Sequence, residues 1–126
     1  MEMIIGGAFQ GKSTYAEQNY PGVQWVSGEK INKEELFQAE GVLGFHQYIR
    51  REMQAGNEVK ELVGELIQKN PGVILVSDEV GCGVVPIDAF DRAYREAVGR
   101  VCTELAAYSS RVIRVMCGIG TVIKDA

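Results

Sequence analysis

The 126-residue chain has no apolar run approaching the roughly 18 residues that a membrane-crossing helix requires, so no membrane partner is expected. Its three cysteines, Cys82, Cys102 and Cys117, form no C-x-x-C pair and cannot all pair within one chain, which excludes a disulfide framework and a zinc site. None stands beside a base that would lower a thiol pKa, and all three read as small apolar residues. Basic residues are not in excess. The 13 Lys and Arg against 17 Asp and Glu leave a formal charge of −4, so no positive field exists to hold nucleic acid. Met1-Glu2-Met3 places an acid where a signal peptide carries bases, and a cytoplasmic protein is expected. Proline is scarce: Pro21, Pro71 and Pro86 stand singly between patterned segments, with no linker, repeat or low-complexity stretch. A single domain over residues 1–126 is expected, its 46% hydrophobic content sufficient for a core. Histidine occurs once, as His46, whereas glycine is abundant at 15 residues.

The apolar run Met3-Ile4-Ile5 predicts a strand that ends at Gly6-Gly7, and Lys12 to Glu17 reads as the first turns of a helix. Val23 to Val26 predicts a second strand, closed by Ser27-Gly28. From Asn32 to Met53 the pattern is helical, interrupted at Gly41 and Gly44, and Val42, Phe45, Ile49 and Met53 mark one helical stripe. Asn57 is placed to cap a helix carrying Val59, Leu62, Val63, Leu66 and Ile67, which Asn70-Pro71-Gly72 stops. Val73 to Val76 reads as a strand covered on both faces. Asp88 is an N-cap for a long amphipathic helix ending near Ala107, and Val112 to Met116 and Thr121 to Ile123 supply the last two strands. Strands alternating with helices predict an α/β fold, with a mostly parallel sheet between helical layers.

Gly6-Gly7-Ala8-Phe9-Gln10-Gly11-Lys12-Ser13 fits G-x-x-x-x-G-K-[ST] at every fixed position, after a strand and opening a helix. Small residues let backbone N–H groups turn inward around phosphate, and the helix terminus adds its positive dipole end. Lys12 is thereby expected to reach the β and γ phosphates of ATP or GTP, with Ser13 offering its hydroxyl to Mg²⁺ and Thr14 completing the nucleotide site. The carboxylates Asp78-Glu79 follow an apolar strand, as in the other half of such a site. Asp78 then serves Mg²⁺ and Glu79 orients or deprotonates the attacking group; the plainer reading is two solvated loop carboxylates. His46 falls in the apolar stripe, where a packed, hydrogen-bonded histidine competes with a catalytic one. Arg50-Arg51 reads as a solvated basic turn or a phosphate contact.

Three blocks carry a further likeness: Gly6 to Ser13; Glu79-Val80-Gly81-Cys82-Gly83-Val84-Val85-Pro86; and Tyr94 to Val101 followed by Leu105-Ala106-Ala107 and Val115 to Ile119. In these the chain resembles the adenosylcobinamide kinase / adenosylcobinamide-phosphate guanylyltransferase family of cobalamin biosynthesis, with a middle segment shorter than the family's usual form. The resemblance implies a P-loop NTPase-like three-layer fold and phosphorylation of the aminopropanol hydroxyl of adenosylcobinamide with ATP or GTP. It further implies guanylylation through a histidine, a role open here to His46, and assembly into a homo-oligomer. Glu79, Val80, Gly81, Gly83 and Pro86 are expected to line the substrate pocket. A catalytically reduced homologue that binds nucleotide or corrinoid is the alternative reading, and a small ATPase or nucleotide kinase outside cobalamin chemistry is a third.

Overall fold

A computed structural model of the chain describes residues 1–80 and 88–126. The strands are β1 (Glu2–Gly6), β2 (Trp25–Ser27), β3 (Gly41–Leu43), β4 (Ile74–Asp78), β5 (Arg111–Met116) and β6 (Ile119–Asp125). The helices are α1 (Lys12–Asn19), α2 (Lys33–Gln38), α3 (Phe45–Gln54), α4 (Leu62–Lys69) and α5 (Ala89–Tyr108). The six strands form one sheet in the order β2-β3-β4-β1-β5-β6, parallel throughout except for β6, which returns antiparallel along β5.

Alternation along the buried strands separates two cores. Val73 and Leu75 of the β4 segment point to the cluster built on Leu36, Phe45, Leu66 and Leu105, while Ile74 and Val76 point to the opposite cluster with Ala16 of α1. Helices α2 to α5 therefore cover one face and α1 the other, which gives the expected three layers. The helical face takes the larger aromatic content; Phe45 and Tyr48 are essentially water-free there.

Local boundaries depart from the sequence expectations at four places. The segment expected to be one interrupted helix contains a strand: Gly41–Leu43 pairs with β2 and β4, and Val42 sits in the core opposite Leu75 rather than on a helix. The reason is tertiary, since the Trp25 ring packs where a side chain at Gly41 would project. Asn57 does not cap α4; its side chain donates to Glu52 at 2.7 Å, and the helix begins at Leu62 after Glu61. Strand β2 lies two residues later than Val23 to Val26. Strand β4 continues through Ser77 and Asp78, which carries that carboxylate to the end of the sheet as part of the strand. Asp88, in contrast, caps α5 as expected, its carboxylate accepting from Phe90 N–H at 2.7 Å and Asp91 N–H at 3.1 Å. Gly81, Gly83 and Pro86 of the expected substrate loop lie outside the described residues.

Among the described residues no helix is long and apolar enough to cross a membrane.

Candidate functional site

Strands β1 and β4 are neighbours, with Gly6 opposite Asp78 at their carboxyl ends. The chain leaves β1 toward α1 on one face, whereas the next helix after β4 is α5 on the other face. Such divergence opens a crevice at the carboxyl edge of a parallel sheet, and ligands of open α/β folds bind there. Gly11 allows the first of these turns because it adopts φ 83° as the N-cap of α1, in the left-handed region that costs other residues about 1–2 kcal/mol.

The crevice holds a pocket of about 180 Å³ lined by Gly11, Lys12, Ser13, Thr14, Gly44 and His46, with Val76 and Asp78 from β4. Lys12 is buried, and its ammonium both donates to the Gly7 carbonyl at 2.7 Å and pairs with Asp78 Oδ1 at 2.7 Å. A buried cation with a carboxylate and a carbonyl around it is matched electrostatically, and an incoming phosphate would meet it without further desolvation of the lysine. Of the expected nucleotide-binding residues, Gly11, Lys12, Ser13 and Thr14 thus meet in one pocket. Gly6 ends β1, while Gly7 and Gln10 line a smaller cavity of about 150 Å³ on the other side with Glu79 and Arg114. Ala8 and Phe9 face solvent, and Phe9 adopts φ 61° at the loop tip. Gln10 is occupied by the β5–β6 turn, its carbonyl accepting from Gly118 N–H at 2.8 Å and its Oε1 from Cys117 N–H at 2.7 Å.

His46 enters from the start of α3. Gly44, the N-cap of that helix, adopts φ 70° and brings the first turn over the strand ends. The Asp78 N–H donates to His46 Nδ1 at 3.1 Å, which places the ring proton on Nε2, 3.4 Å from Asp78 Oδ2. Burial lowers the imidazole pKa below its ordinary value, Asp78 pulls it partway back and Lys12 pushes it down again. The ring is therefore neutral at pH 7, buried and hydrogen-bonded, yet it also lines the Lys12 pocket. Tyr94 fixes the same turn by donating its hydroxyl to the His46 carbonyl at 3.3 Å.

Glu79 sits beyond Asp78 and is held by Arg114 through two bonds, Nε to Oε1 at 2.9 Å and a second guanidinium nitrogen to Oε2 at 3.1 Å. This bidentate pairing directs the carboxylate to the β5 side of the loop. Arg51 donates to the carbonyls of Gly28 and Ile31, and Arg50 pairs with Asp91 over the Tyr94 ring, so both arginines tie elements together. Cys102 is packed against Ser77, and burial pushes its thiol up to about 11.

Ser27, Glu29 and Gln47 form a second pocket of about 250 Å³ that shares Ser13, Gly44, His46 and Asp78 with the first. The sequence gives one usable sign of this extension, since Ser27 ends a strand at the same sheet edge. The donors fit Mg²⁺: Ser13 hydroxyl and Asp78 carboxylate are hard oxygen ligands in one pocket, and Mg²⁺ ordinarily takes one or two carboxylates together with substrate phosphates and water. Among the described residues no cluster of three or more His, Cys, Asp or Glu is placed to hold a metal ion.

Residues 25–123 match the family model described as cobinamide kinase / cobinamide phosphate guanyltransferase. The chain is 36% identical over 77 residues to the bifunctional adenosylcobalamin biosynthesis protein of Escherichia coli (strain K12), an alignment covering 61% of this chain and 42% of that protein. The corresponding protein of Salmonella typhimurium gives the same 36% over 77 residues, again 61% of this chain and 42% of the relative. The aligned stretch thus spans less than half the length of these curated relatives. The family match begins at Trp25, so the phosphate loop is a separate line of argument that arrives at the same crevice. With the family pattern running from residue 25 to residue 123, the chain belongs to the cobinamide kinase / cobinamide phosphate guanyltransferase family.

Proposed function

We propose that the chain binds a Mg²⁺ complex of ATP or GTP in the Lys12 pocket and transfers the terminal phosphoryl group to the hydroxyl of adenosylcobinamide. The observation that carries this reading is the meeting of Lys12, Ser13 and Asp78 at the crevice where β1 and β4 diverge. Lys12 exchanges its Asp78 contact for the β and γ phosphates, and the N-terminus of α1 with Ser13 holds the same group. Mg²⁺ held by Ser13 and Asp78 would neutralise charge on the transferring phosphoryl group. The remaining catalysis is positioning.

Of the two carboxylates, Asp78 is the one that faces Lys12 and His46 in the pocket, and Glu79 is engaged by Arg114 through both of its oxygens. His46 is better placed to fix Asp78 than to accept a guanylyl group: Nδ1 is occupied by the Asp78 amide and Nε2–H faces the Asp78 carboxylate, which leaves no ring lone pair directed at a nucleotide. Phosphoryl transfer is accordingly the activity favoured here.

The test is incubation with γ-labelled ATP or GTP, Mg²⁺ and adenosylcobinamide. Labelled cobinamide phosphate from the unaltered chain, absent with Lys12→Ala, is the expected result. Tight nucleotide binding without any labelled product would favour the accessory homologue. Nucleotide affinity equal in the two proteins would overturn the phosphate-loop assignment.

A further inference from the structure

Strand β6 puts little of itself into the core: none of its residues is buried, and Ile119, Val122 and Ile123 are exposed. Its position is fixed at both ends instead. At the base Lys124 donates to the carbonyls of Ala106 at 3.0 Å and Ala107 at 2.7 Å, in the last turn of α5, where carbonyls lack partners within their own helix. At the tip the chain reverses through two residues, Cys117 and Gly118, with Met116 opposite Ile119. Both adopt positive φ, 52° and 75°, as the twist of a two-residue hairpin demands.

In such a turn the N–H groups of the two central residues point outside the ladder and take their acceptors from elsewhere. Gln10 supplies both acceptors. Its carbonyl accepts from Gly118 N–H at 2.8 Å and its Oε1 from Cys117 N–H at 2.7 Å. In a trans peptide the C=O and N–H lie on opposite edges, so the bond that draws the Gln10 carbonyl to the turn aims the Gly11 N–H away from it. Gly11 lines the Lys12 pocket. One turn into α1 the Tyr15 ring covers Gly120, where an added Cβ would overlap the ring. Loop and helix are therefore both seated on the β5–β6 hairpin.

We propose that the β5–β6 turn positions the phosphate loop: Gln10, clamped on the two turn N–H groups, holds the Gly11 N–H toward bound phosphate, and nucleotide in turn tightens the clamp. The inference rests on the nucleotide-binding reading above. Gln10 is a positioning residue, because its carbonyl and its Oε1 both serve the turn and its effect reaches phosphate through Gly11. The coupling is reciprocal. Whatever factor the closed clamp adds to nucleotide affinity, bound nucleotide adds to the ratio of closed to open clamp.

Gln10→Met keeps the length of the side chain and removes the acceptor for Cys117 N–H. It is expected to weaken MgGTP binding by about three- to tenfold, the range of one neutral hydrogen bond. In the unaltered chain, saturating MgGTP is expected to slow hydrogen exchange of the Cys117 and Gly118 amides by about the same factor, while the Glu35 amide, held by Asn32 at the start of α2, exchanges as before. A Gln10 that only stabilised the fold would leave these two amides indifferent to nucleotide. Should Gln10→Met fail to fold, Gly120→Ala displaces Tyr15 from the hairpin and is expected to weaken MgGTP binding as well. MgGTP affinity within about twofold of the unaltered chain in the folded variant, or exchange at Cys117 and Gly118 unchanged by MgGTP, overturns the proposal and leaves the phosphate loop assigned. No MgGTP binding by the unaltered chain overturns the nucleotide-binding reading and this proposal together.

Discussion

Two turns enter the Lys12 pocket by the same device. One joins β1 to α1 and the other joins β3 to α3, and each ends on a glycine N-cap in the left-handed conformation, Gly11 at φ 83° and Gly44 at φ 70°, with no side-chain cap bond. Each then aims a basic side chain from the first helical turn at Asp78, Lys12 at 2.7 Å and His46 at 3.4 Å. They differ in what lies between strand and helix. Gly7 to Gly11 form a loop wide enough to wrap an anion, whereas Gly44 alone separates Leu43 from Phe45. The first turn leaves a wide loop of backbone, the ligand-holding element of the proposed function; the second aims a side chain. Their side chains differ as well, one a long-stemmed ammonium between Asp78 and the Gly7 carbonyl, the other a neutral ring held on both nitrogens.

The largest expected effect separates these roles. Lys12→Ala removes a charge-assisted contact to phosphate worth about 1.5–3 kcal/mol and is expected to weaken MgATP or MgGTP binding by roughly 10- to 150-fold. His46→Gln leaves the phosphate contacts in place and is expected to change that affinity by less than about threefold, within 0.7 kcal/mol or so. Isothermal titration of both variants checks this. Equal losses would mean that the β3–α3 turn also contacts nucleotide, and the contrast between the two turns would be wrong.

The legibility of the two turns in the sequence differs for a related reason. The phosphate loop is a local pattern: strand, spaced glycines, lysine and serine all lie within one short stretch, and local physics imposes their order. Asp78 was legible for the same reason, as the polar end of a continuous apolar strand. The second turn is non-local. Val42 and Leu43 make too short a strand to show alternation, and the offsets from Val42 through Phe45 to Ile49 fit a helix equally well. Only the sheet order, which places β3 beside β4, turns Gly41–Leu43 into a strand and carries His46, Ser27 and Glu29 to the pocket. The packed, hydrogen-bonded reading of His46 agrees with its contacts, while its place beside Lys12 had no sequence signal. The Arg114 grip on Glu79 was equally invisible, being made between separate strand ends.

Smaller effects follow from the two glycines. A Cβ at Gly11 would meet the Gly118 Cα at 3.3 Å and its nitrogen at 3.5 Å, whereas at Gly44 it would meet only the Gln47 side chain at 3.6 Å and 4.0 Å. Both Ala substitutions pay the left-handed penalty of about 1–2 kcal/mol. Gly11→Ala also displaces the β5–β6 turn that Gln10 holds, so it is expected to be the more destabilising of the two in urea unfolding. A larger loss from Gly44→Ala would show that the short turn, not the wide loop, is the more tightly constrained.

The smallest effect concerns pH and depends on both turns. Because burial lowers the pKa of His46, the folded protein resists taking the proton that the unfolded chain accepts at its ordinary value near 6.5. Above that pH neither state is protonated, and the residue contributes no pH dependence. As pH falls through 6.5, the unfolded state gains the proton first and stability drops; the drop ends once the folded-state pKa is passed. His46→Gln should therefore flatten the acid side of a plot of Tm against pH, between pH 6.5 and the range where carboxylates titrate. Lys12 is one of the groups that lower this pKa, so Lys12→Ala should flatten the same limb to a lesser degree. If Lys12→Ala steepened the slope instead, the ammonium would not be lowering the imidazole pKa, and the two turns would not be electrostatically coupled in this sense.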